Sequence, residues 1–247
     1  MSIVIKLIII INLFAHRGLV LKDKDNKKSV AFENSISSFH QAYSFGFRNI
    51  EFDIWYCGNI DKLILKHDQP TKQELDTYLD SSNSFKKSDL PQFIDYLEFG
   101  NKLVYWCDFK NIDKNNANNT LALLKDDIIR KNIDFSNFYF APFITEYKLA
   151  GEICQYFRKI LGGKINFVAV CESFETYSTK ESLKNFLIDQ NIKFLSINHK
   201  LINRELLSFL PEVEFFAWTV NDKDRIIELS KMGVKNFATD KILPSHF

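Results

Sequence analysis

The chain alternates short apolar runs with segments whose apolar residues recur every three or four positions. A continuous apolar run suits a buried parallel strand, and the three-to-four spacing suits a helix with one buried face. Leu7–Phe14 is therefore predicted as the first strand. Asn34–Ser44 is predicted as a helix, with Asn34 or Ser35 as its N-cap and Gly46 as its stop. Asn49–Tyr56 and Lys62–Lys66 read as strands, Pro91–Phe99 as a helix that opens on proline, and Lys102–Phe109 as a strand. Further along, Thr120–Lys131, Glu146–Leu161, Lys180–Asp189, Arg204–Phe209 and Asp222–Met232 read as helices. Phe138–Pro142, Asn166–Cys171, Lys193–Ile197, Glu214–Val220 and Lys235–Thr239 read as the strands between them. Lys22–Lys28 reads as a solvated loop, and polar Pro70–Lys87 as an irregular lid or insertion.

Strands that alternate with helices imply βα units and a parallel sheet. About eight such units in a chain of 247 residues predict an α/β fold of the closed (β/α)8 TIM-barrel kind, with residues 1–247 forming one domain. No G-x-G-x-x-G follows the first strand, which weighs against a dinucleotide-binding sheet.

Composition narrows the class. Hydrophobic residues make up 46% and charged residues 26%, which excludes a disordered chain. A net charge of +1 argues against a broad basic face and hence against a nucleic-acid partner. The apolar N-terminal run is too short to cross a bilayer, and no A-x-A site follows it. We read it as a strand rather than a signal peptide and expect a cytoplasmic protein with no transmembrane segment; peripheral membrane contact and the oligomeric state stay open. The scattered Cys57, Cys107, Cys154 and Cys171 include no C-x-x-C pair and read as reduced thiols.

Polar residues at the C-terminal ends of barrel strands read as catalytic. Glu51 and Asp53 are two apart on one strand and so point to one face. Two carboxylates confined together repel, and a hard divalent cation relieves that repulsion. Asp108 and Lys110 repeat the spacing, offering a third carboxylate and a cation for a phosphate. On residue types alone, an ordinary charge network across the barrel mouth is an equal reading. His16 and His67 both follow apolar strands and can serve as general base and general acid. Arg17, beside His16, can hold phosphate oxygens in a bidentate grip. His40, His199 and His246 read as packing or surface residues.

Several short motifs then follow in a telling order: AHRG at 15–18, EN at 33–34, E-x-D at 51–53, HD at 67–68, D-F-K at 108–110, WTVN at 218–221 and a closing T-D at 239–240. In this order the chain resembles the glycerophosphodiester phosphodiesterase family. The resemblance implies a TIM barrel that hydrolyses a glycerophosphodiester to glycerol 3-phosphate and an alcohol, with one Mg2+ or Ca2+. It implies that His16 and His67 are the acid/base pair and that Glu51, Asp53 and Asp108 hold the metal. It places Arg17, Lys110, Glu33 and Trp218 around the substrate. Two departures stand out: Asp108 occupies a position where the family usually has glutamate, and Phe32 replaces the proline before Glu33. The segment after His67-Asp68 is short for the family's inserted subdomain. Two alternatives accompany this reading. The same chemistry could act on a lysophospholipid or a glycerophosphate polymer, or the barrel could be a catalytically weak module that binds a phosphate head group.

Overall fold

The computed structural model describes residues 10–20, 32–80, 90–144, 146–174 and 179–247. The strands are β1 (Asn12–His16), β2 (Asn49–Cys57), β3 (Lys62–Leu65), β4 (Val104–Phe109), β5 (Phe138–Pro142), β6 (Asn166–Cys171), β7 (Phe194–Asn198), β8 (Glu214–Trp218) and β9 (Asn236–Thr239). The helices are α1 (Ile36–Ser44), α2 (Lys72–Asp80), α3 (Phe93–Tyr96), α4 (Ala117–Arg130), α5 (Tyr147–Leu161), α6 (Lys180–Asp189), α7 (Arg204–Phe209) and α8 (Lys223–Lys231). Eight strands pair in parallel in the order β1-β2-β4-β5-β6-β7-β8-β9. The β1–β2 and β1–β9 pairings close the ring, so the predicted (β/α)8 barrel is the fold.

Two layers of apolar side chains hold it. Phe14, Trp106, Val168, Val170 and Phe216 fill the barrel's interior. Phe39, Phe52, Phe93, Phe138, Phe140 and Phe157 are buried in the larger core cluster that joins the strands to the helices. Much of the chain's phenylalanine is spent here, as edge-to-face and tilted ring pairs such as Phe109–Phe157 and Phe39–Phe52.

The structure corrects three expectations. The strand predicted at Leu7–Phe14 runs from Asn12 to His16. Its first residue, Asn12, is paired with Asn236, the first residue of β9; residues 7–9 lie outside the described residues. The strand at 62–65 is not a barrel strand. It pairs antiparallel with β2, from Ile54↔Leu65 to Cys57↔Lys62. The residues between β2 and β3 are too few for a parallel crossover, which needs a dozen or more. The stretch expected to be irregular from Pro70 contains α2. Its start carries a T-x-x-E capping pattern: the Thr71 backbone N–H donates to Glu74 Oε2 at 2.7 Å, and the Glu74 N–H donates to Thr71 Oγ1 at 3.3 Å. Residues 81–89, like Lys22–Lys28, lie outside the described residues. Among the described residues, no helix is long and apolar enough to cross a membrane.

Candidate active site

Parallel register sets the site. His16 lies level with Glu51, Glu51 with Trp106, and Asp53 with Asp108. Adjacent strands therefore present two tiers of polar side chains into one cavity of about 420 Å³ at the C-terminal end of the barrel. Its lining includes His16, Arg17, Glu51, Asp53, His67, Asp108, Lys110 and Trp218, eight of the nine residues singled out from the sequence. The ninth, Glu33, is exposed and reaches the site through Arg17, whose Nη1 donates to Glu33 Oε2 at 3.1 Å.

The buried carboxylates are held by groups that the backbone positions. Arg17 and Gly18 both have positive φ, at 55° and 77°. A Cβ at residue 18 would lie 2.3 Å from Ser38 Oγ, so only glycine lets this turn pack on α1. The turn aims the Arg17 N–H at Glu51 Oε2 (2.9 Å) and sets its guanidinium in an ion pair with Asp53, Nε lying 3.2 Å from Oδ2. Asn34, also at positive φ (52°), donates from Nδ2 to Asp53 Oδ2 at 2.8 Å and accepts the Asp53 N–H at 3.1 Å. The Tyr96 hydroxyl donates to the Asn34 carbonyl from beneath. Lys110 bridges Asp53 Oδ1 (2.8 Å) and Asp108 Oδ2 (2.7 Å). Burial opposes its charge, but Asp108 and Asp53 outweigh that and raise its pKa.

Glu51, Asp53 and Asp108 each bring a carboxylate oxygen within 4.8 Å of the others. Burial lifts the Glu51 pKa to about 7, although His16 opposes the shift. It lifts Asp108 to about 6 against the pull of Lys110. Asp108 Oδ1 is buried and has no hydrogen-bond partner. An all-oxygen donor set with one partnerless oxygen and costly negative charge fits a hard divalent cation.

His16 is fixed from behind. Its Nδ1 lies 2.7 Å from Asp240 Oδ1, and Asn221 Nδ2 donates to Asp240 Oδ2 at 2.7 Å. Asn221 Oδ1 accepts the Asp240 N–H at 2.8 Å, so the WTVN and T-D motifs form one buttress. His16 Nε2 faces Glu51 Oε2 at 3.8 Å. Burial disfavours the imidazolium, but Glu51 and Asp240 outweigh burial and raise its pKa. His67 arrives by another route. The hairpin folds β3 back along β2, the Trp55 indole N–H donates to the His67 carbonyl (3.2 Å), and Lys66 is clamped by Glu74 at 2.7 Å. His67 Nδ1 meets Asp68 Oδ1 at 2.8 Å, and the residue lines the cavity.

Asp240, Asn221, Asn34, Trp55, Phe143 and Glu172 also belong to the site or its support and were not assigned roles from the sequence. The remaining histidines stay outside it: His40 pairs with Glu98 at 2.6 Å, the His246 ring accepts the Leu243 N–H, and His199 does not line the cavity. The four cysteines are free and buried, and burial pushes the Cys57, Cys154 and Cys171 thiols up to about 11, so none is a poised nucleophile.

No family model and no curated protein matches this sequence. Solved structures do match the fold. A phosphodiesterase of Oleispira antarctica, in complex with the product sn-glycerol-3-phosphate, superposes with a TM-score of 0.70 at 15% identity, over 94% of this chain and 93% of that one. A glycerophosphodiester phosphodiesterase of Parabacteroides distasonis gives 0.64 at 19% identity, over 93% and 92%. A calcium-dependent phosphoinositol-specific phospholipase C of a Pseudomonas species gives 0.54 at 10% identity, over 93% and 88%. At such identities the likeness speaks for the fold: this chain is a TIM barrel similar in architecture to the glycerophosphodiester phosphodiesterases.

Proposed function

We propose that the chain is a divalent-metal-dependent phosphodiesterase that hydrolyses a glycerophosphodiester to glycerol 3-phosphate and an alcohol. The observation that carries this reading is the juxtaposition in one cavity of three carboxylates, one with a partnerless oxygen, with the Arg17 and Lys110 cations and the buttressed His16. The fold shared with phosphodiesterases, one of them a glycerol-3-phosphate complex, supports it.

Glu51, Asp53 and Asp108 would hold one Mg2+ or Ca2+, and the bound ion supplies Lewis-acid polarisation of a phosphate oxygen. Arg17 and Lys110 supply fixed positive charge for the phosphate as negative charge builds on it. Glu33 and Asp53 keep the Arg17 guanidinium in place. With Nδ1–H donated to Asp240, His16 Nε2 accepts the proton of the attacking water or glycerol 2-hydroxyl. The new P–O bond forms as the bond to the leaving alcohol breaks, and His67 Nε2 gives its proton to the departing alkoxide. Trp218 forms part of the wall against which the substrate packs. Four free, buried cysteines suit a reducing compartment, so we place the activity in the cytoplasm.

The deciding assay is release of glycerol 3-phosphate from glycerophosphocholine and glycerophosphoethanolamine with Mg2+, Ca2+ or EDTA, beside His16→Ala. Metal-dependent turnover lost in the variant is the expected outcome. Absence of turnover with either metal, together with absence of metal binding, would refute the proposal.

A further inference from the structure

Resting on the phosphodiesterase reading, we propose that Glu172 makes this site select a leaving alcohol that carries an alkylammonium group. Glu172 follows β6, lines the same cavity as Arg17 and Lys110, and is exposed to solvent at its mouth. Among the described residues it has no hydrogen-bond or ion-pair partner. Every other carboxylate in the cavity has at least one partner within the protein: Glu51 the Arg17 N–H, Asp53 Arg17 and Lys110, and Asp108, through one of its oxygens, Lys110. Glu172 is therefore surplus to the binding of phosphate or metal. A surplus carboxylate repels a phosphodiester unless the substrate brings positive charge elsewhere.

The surroundings suit that charge. In barrel order β6 lies between β5 and β7, and the next strand is β8. Phe143 follows β5 and Trp218 ends β8, and both line the cavity. Aromatic faces attract alkylammonium groups, and Phe143 already meets the Lys110 ammonium at 5.2 Å on one side. The two cations that would repel an ammonium are already engaged, Arg17 by Asp53 and Glu33 and Lys110 by Asp53 and Asp108. A substrate lying across the mouth thus sets its phosphate on the β1–β4 side and its ammonium on the β6 side. The same carboxylate works against a glycerophosphate polymer, whose next unit brings a second negative charge.

Calorimetry on the wild-type protein compares choline with its uncharged isostere 3,3-dimethylbutan-1-ol. Cation–π and part-exposed ion-pair contacts are each worth a few-fold, so choline should bind about tenfold more tightly. Glu172→Gln should remove most of that preference. It should also lower the kcat/KM ratio of glycerophosphocholine to glycerophosphoglycerol by about tenfold, mainly through KM. Equal binding of the two alcohols, or an unchanged ratio in the variant, overturns the proposal. If no diester is hydrolysed, the phosphodiesterase reading fails alone, because the binding comparison needs no turnover and still decides the role of Glu172.

Discussion

The two walls of the cavity differ in kind. The β1, β2 and β4 wall carries its charges in interlocked sets: Arg17 with Glu33 and Asp53, and Lys110 with Asp53 and Asp108. The wall of β5 to β8 offers Phe143, Val170, Glu172, Ser196 and Trp218, with one carboxylate and no charged partner for it. Burying a charge without a partner costs several kcal/mol, so the first wall is tightly determined: each of its members is needed by its neighbours. Apart from Phe143, which meets the Lys110 ammonium at 5.2 Å, the second wall is held by apolar packing and can change a side chain without disturbing the first. On the proposed function, chemistry is built on the wall that tolerates least change, and choice of alcohol on the wall that tolerates more.

Variants on the first wall should show the largest effects. His16→Ala is expected to lower kcat by roughly 10²–10⁴-fold, the usual worth of a general acid or base. An effect below tenfold, measured by steady-state release of glycerol 3-phosphate, would remove His16 from the chemistry. Asp240→Asn should come next, at about 10–100-fold, because it leaves His16 Nδ1 without its carboxylate while the cavity stays intact. Recovery of much of that loss in Asp240→Glu would separate positioning of His16 from simple loss of folding.

Metal binding tests the carboxylate tier through pH. Glu51 and Asp108 have folded pKa values of about 7 and about 6, above their ordinary values. The folded state therefore holds protons that the unfolded chain has released. The metal-free protein should lose stability as pH rises from about 4.5 through 7. A divalent cation must displace the same protons, so its affinity and its thermal stabilisation should grow across the same window. At a hundredfold excess over Kd the gain is about 2.7 kcal/mol at most, read as a rise in Tm. A pH-independent shift in Tm, or one that survives Glu51→Gln, would break the assignment of these ligands.

The smallest effect concerns the turn that carries Arg17. Gly18→Ala combines a positive φ with a clash on Ser38 and should cost about 1–3 kcal/mol of stability by chemical denaturation. It should also raise KM, since the guanidinium moves with the turn. A neutral result would mean that the turn relaxes freely and that Arg17 is not held as described.

Much of the barrel was legible in the sequence. Phe138–Pro142 and Asn166–Cys171 are strands with the predicted ends, because a parallel strand buried on both faces is simply an apolar run. The tiers of Glu51 with Asp53 and of Asp108 with Lys110 were legible because alternation along a strand is fixed by the backbone. The hairpin of β2 and β3 had its signal in the short spacing, and α2 in Thr71 and Glu74, but neither shows as an apolar pattern. Glu172, by contrast, is one ordinary glutamate among many until the barrel brings it to the mouth.

By itself, then, the sequence determined most of the elements, the closed class of fold and nine candidate residues, eight of which line one cavity, because these depend on periodicity and on strand-end chemistry. Only the tertiary structure decided which groups satisfy one another. Asp240 lies 224 positions from His16, yet their side chains meet at 2.7 Å, because β9 pairs with β1 to close the ring. No local pattern encodes that contact, since it arises when the last strand closes on the first.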